Sequence, residues 1–84
     1  MLLRRRLSRA LVQAVRQSDL SLRQKLLVRM ALALPTFREA ILEHLEEVVG
    51  PNAAAIGDGE LIKIIIENLD VILEFILALL GALG

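Results

Sequence analysis

Cysteine, tryptophan and tyrosine are all missing from this 84-residue chain, and histidine occurs once. Without thiols there is no disulfide framework and no thiolate metal site, and nothing reports the redox compartment. His44 stands alone among Glu43, Glu46 and Glu47, so it reads as a boundary residue of an acidic helix in preference to a metal ligand. Glu67 and Asp70 form a carboxylate pair, but no partner that would tune them for proton transfer is in view. The Gly-Asp-Gly at 57–59 lacks the Lys and Ser/Thr of a phosphate loop. Neither an enzyme nor a bound cofactor or metal is expected.

Aliphatic side chains are what the sequence has in excess. Hydrophobic residues make up 56% of the chain and the mean hydropathy is +0.63, against about 45–50% apolar in average soluble domains. A chain of this length buries only about 60–65% of the surface its unfolded form exposes. The surplus predicts apolar patches that face a partner, another copy of the chain, or lipid.

Acids are nearly absent from the first part of the chain. Residues 1–34 hold Arg4, Arg5, Arg6, Arg9, Arg16, Arg23, Lys25 and Arg29 against Asp19 alone, a net +7. Residues 35–84 hold Arg38 and Lys63 against nine acids, a net −7. Such segregation bears on association more than on fold. The basic half either neutralises an acidic half, its own or a neighbour's, or meets a polyanion.

The apolar spacing is helical and shows no convincing strand. Leu3, Leu7, Ala10, Leu11, Ala14 and Val15 define a helix over 3–17, and Leu22, Leu26, Leu27, Met30, Ala31 and Leu34 a second over 22–34. The apolar face shifts by over 100° between them, and Ser21 with Gln24 fits a capping box, so a turn separates the two. Pro35 interrupts. Thr36 with Glu39 reads as a second capping box, opening a helix over 36–49 with Phe37, Ile41, Leu42, Leu45, Val48 and Val49 on one side. Gly50-Pro51 stops it, 51–59 is a loop, and Asp58 is placed to cap the last helix, with Glu60 in its first turn. The expected fold is all-α, with three to four helices forming a hairpin or small open bundle completed by oligomerisation.

The last helix, expected over 60–83, is long and hydrophobic with a narrow polar stripe. Glu60, Lys63, Glu67, Asp70 and Glu74 fall within about 80° on a helical wheel. Glu67, Asp70 and Glu74 repel one another, so arginines of the basic half are the expected complement. A lone membrane span is disfavoured, because each mid-helix charge costs about 2.5–3.5 kcal/mol against about 0.3–0.6 returned per Leu or Ile. A helix this apolar is normally buried, so Ile62, Ile65, Ile66, Leu69, Leu73, Phe75, Ile76 and Leu80 are assigned to a subunit interface. Ala78, Gly81 and Ala82 permit close helix approach near the end.

On the first helix Arg5, Arg9 and Arg16 share a face opposite Leu3, Leu7, Leu11 and Ala14; with Arg4 and Arg6 they form the candidate anion or nucleic-acid site. A secretory signal is not expected, since the opening lacks an adequate apolar run and a cleavage motif. The leading functional expectation is a self-assembling structural block of a larger particle or filament, with the arginine helix toward nucleic acid or an acidic neighbour. A virion coat or internal component fits that description. The alternatives are a membrane-associated oligomer of small-pore or lysis type, and a helical adaptor for another protein. If Ile64, Ile65, Leu73 and Leu77 were all sealed by the chain's own helices, the self-assembly expectation would fail.

Overall fold

In the computed structural model, which describes residues 2–82, α1 runs Leu2–Gln17 and buries Leu7, Ala10, Leu11, Ala14 and Val15, the stripe that the spacing predicts. It stops at Ser18, whose hydroxyl donates to the Val15 carbonyl at 2.7 Å. Ser21 then caps α2, Leu22–Ala33, through the capping box: the Gln24 N–H donates to Ser21 Oγ at 3.1 Å and the Ser21 N–H to Gln24 Oε1 at 3.0 Å.

A single residue, Leu34, joins α2 to α3, Pro35–Val49. Pro35 takes the first helical turn, where its missing N–H is no loss and its fixed φ suits the helix. Thr36 therefore lies inside the helix and the expected second capping box does not form; Leu34 is the N-cap, with no side-chain bond. Gly50 ends α3 at φ +95°, its N–H donating to the Glu46 carbonyl at 3.0 Å. The loop that follows contains a short 3-10 turn, Ala53–Ala55.

The long last helix is in fact two: α4, Asp58–Glu67, and α5, Leu69–Gly81. At Asn68 the backbone N–H bonds to Ile65 O, and the carbonyl of Ile64 takes the Asn68 side-chain amide at 2.8 Å in place of the N–H that a continuous helix would supply. The side chain thus satisfies the group that the break would leave bare. Gly57 is the N-cap of α4, and Asp58 is its first residue, not its cap. Leu83, the expected end of the last helix, lies outside the described residues. The described chain is all-helical, with five α-helices in place of three to four and no strand.

Packing follows these breaks. α1 lies chiefly along α4, α2 along α3, and α5 against α2 and α3. Their inward faces build one core in which Leu7, Leu11, Ile41, Leu45, Leu61, Ile65, Ile72 and Ile76 are fully enclosed. The radius of gyration is 11.9 Å, as expected for a compact domain of this length, about 12 Å. Across the break at Asn68, α4 packs chiefly on α1 while α5 packs on α2 and α3.

Candidate interaction site

The second helix is apolar on two sides. Its core side carries Val28, Ala31 and Leu32. Of the six apolar residues read from the sequence, Ala31 is buried and Leu27 half-buried, while Leu22, Leu26, Met30 and Leu34 are 74%, 56%, 50% and 41% exposed. At 100° per residue the two stripes lie nearly opposite one another. The one-residue joint at Leu34 leads straight into α3, along which α2 packs. Arg23, Lys25 and Arg29 flank the outward ridge, and α2 has no acid. Between α1 and α2 runs a groove of about 120 Å³ lined by Val12, Val15, Leu22 and Leu26 together with Arg16, Lys25 and Arg29.

The residues assigned to a subunit interface divide. Ile65, Leu69, Leu73 and Ile76 are buried in the chain's own core. Ile62, Phe75 and Leu80 are half-buried against it, while Ile66 is exposed. Of the four residues set as the test of self-containment, Ile65 and Leu73 are sealed, Ile64 is half-buried and Leu77 is exposed. All five stripe residues, Glu60, Lys63, Glu67, Asp70 and Glu74, face outward, beside the exposed Ile66, Val71 and Leu77.

The arginines also divide. Arg4 forks across α1 and α3, with Nη1 donating to Glu39 Oε2 at 2.7 Å and Nη2 to Glu46 Oε1 at 3.2 Å. Arg6 gathers the 53–58 loop: Nε donates to Asp58 Oδ1 at 2.9 Å, Nη1 to the Ala54 carbonyl at 3.3 Å, and Nη2 to the Ile56 carbonyl. The basic half thus does meet acids of the chain, but in α3 and at the start of α4 and not in the stripe. Arg5, Arg9 and Arg16 remain exposed on the outer face of α1, with no carboxylate partner among the described residues.

His44 stacks on Phe75, ring centroids 4.2 Å apart and 4° from parallel, which ties α3 to α5. Its enclosed Nε2 has no hydrogen-bond partner among the described residues. No group of three potential metal ligands gathers among the described residues, and none of the described helices is long and apolar enough to cross a membrane. Comparison with known protein families, with curated proteins and with solved structures finds no match for this chain.

The signal that could have located the outward ridge is the breadth of α2's apolar surface. Both Leu22-Leu26-Met30-Leu34 and Val28-Ala31-Leu32 are helical ladders, and a helix apolar on two opposite sides has one side too many for a two-layer bundle.

Proposed function

We propose that this chain is a non-enzymatic helical building block that assembles with further copies of itself through surfaces left uncovered once its core is complete. The exposed ridge of α2 carries this reading. Leu22, Leu26 and Met30 are at least half exposed on a helix whose opposite side is already packed, so no rearrangement within the bundle covers both. Burying the outward ridge on a neighbour recovers the hydrophobic free energy that folding leaves unused. Arg5, Arg9 and Arg16, on the outer face of α1, are the groups through which the assembly would meet a polyanion or an acidic neighbour.

The double variant L26Q/M30Q tests this. Each side chain is about half exposed, so its further burial supplies about 1 kcal/mol and the pair about 2, equivalent to self-association weakened more than tenfold. Light scattering at matched concentrations is expected to show a fall in mass, with circular dichroism and the unfolding midpoint held. An unchanged mass would contradict the ridge as the contact.

A second reading draws on the same ridge: an apolar strip flanked by Arg23, Lys25 and Arg29 also suits adsorption to an anionic membrane surface. Flotation with anionic against neutral vesicles separates the two, because adsorption requires anionic lipid and self-association requires none.

A further inference from the structure

We infer that the copies join head to tail, the α2 ridge of one seated on the α4–α5 outer face of the next. This inference rests on the self-assembly reading and specifies its contact.

Two exposed surfaces combine aliphatic side chains with charge of predominantly one sign. On α2, Leu26 and Met30 lie between Arg23 and Arg29, with no acid on the helix. On α5, Val71 and Leu77 lie beside Asp70 and Glu74, with Ile66 and Glu67 continuing the surface onto α4. The ion pairs of the described residues are those of Arg4 and Arg6, so none of these charges has an ion-pair partner among the described residues. A two-fold axis passing through either surface would set it against itself and bring like charges together. Setting one surface against the other instead brings guanidinium and carboxylate groups together alongside the aliphatic side chains of both. Made once between each pair of copies, this contact is heterologous, and it closes into a ring or extends as a filament according to the rotation between copies.

Two charge reversals, each made at exposed positions, test this: R23E/R29E and D70K/E74K. Alone, each variant has both surfaces of like sign, and its self-association is expected to weaken by about tenfold or more. Mixed in equal amounts, each variant offers the sign that the other lacks, and light scattering should show the wild-type mass restored. Circular dichroism of each variant alone verifies its fold. If the wild type associates but the single variants keep its mass, or the mixture regains none, head-to-tail pairing is overturned while self-assembly stands. A wild type that stays monomeric overturns both.

Discussion

Ile65→Ala is expected to lower the unfolding free energy by about 2–5 kcal/mol, the usual cost of emptying a closed aliphatic site. Ile65 has no exposed surface and lies on the side of α4 that belongs to the core. A domain of this size is stable by only about 4–13 kcal/mol in all, so the variant loses a large part of its margin. Its thermal midpoint should fall by roughly 10 °C or more. The neighbouring Ile66, 37% exposed, provides the contrast: Ile66→Ala should cost under about 1 kcal/mol in the isolated chain. Denaturation at low protein concentration measures both. Equal losses at the two positions would contradict the division of α4 into a core side and an outer side. If Ile65 belonged instead to a subunit interface, its loss would depend on protein concentration.

Gly50→Ala is expected to cost about 1–3 kcal/mol, and the cause is the backbone alone. A Cβ at Gly50 meets nothing within 4 Å, so no clash enters. With φ at +95° and ψ at −179°, however, the residue occupies a region essentially confined to glycine. That conformation ends α3 one turn after Glu46, which holds Arg4, and directs the chain into the loop whose Ala54 and Ile56 carbonyls hold Arg6. Gly81→Ala is the control. Gly81 also has open space around it, its φ is not positive, and it is helical, so alanine there should be neutral or stabilising by up to about 1 kcal/mol. Urea denaturation of the two variants separates conformational strain from mere sensitivity to an added methyl.

Much of the helical architecture is legible because local signals and packing agree. In α1 one apolar ladder faces one core, and Ser21 with Gln24 marks the start of α2 by a mechanism confined to four residues. The misreadings arise where two local rules compete. At the start of α3 both Pro35 and Thr36 are good first-turn signals, and proline takes the first position because the N–H it lacks has no helical acceptor there. At Asp58 the carboxylate is drawn to Arg6, fifty-two residues earlier in the chain, and a partner at that distance leaves no mark on local spacing. The break at Asn68 does leave a mark: it is the one uncharged polar residue in 60–76, and asparagine competes for backbone hydrogen bonds in helix interiors. A run of aliphatic residues on both sides makes the segment read as continuous all the same.

The choice between the two ladders of α2 was least legible. Periodicity identifies each as a helical face, but it does not say which one the fold will cover. That is settled in three dimensions, where α2 packs along α3 across the single extended residue Leu34, φ −96° and ψ 115°. With Val28, Ala31 and Leu32 inward, Leu22, Leu26 and Met30 are left outside as the candidate interaction site.

Self-association of the folded chain is tested most directly by the molar mass of the unmodified protein. Light scattering without detergent, up to high micromolar concentration and at low and high salt, provides it. Masses at multiples of 9.3 kDa that rise with concentration are expected. They should fall at about 1 M salt, where the screening length shrinks to about 3 Å. A constant 9.3 kDa across that range would contradict self-assembly.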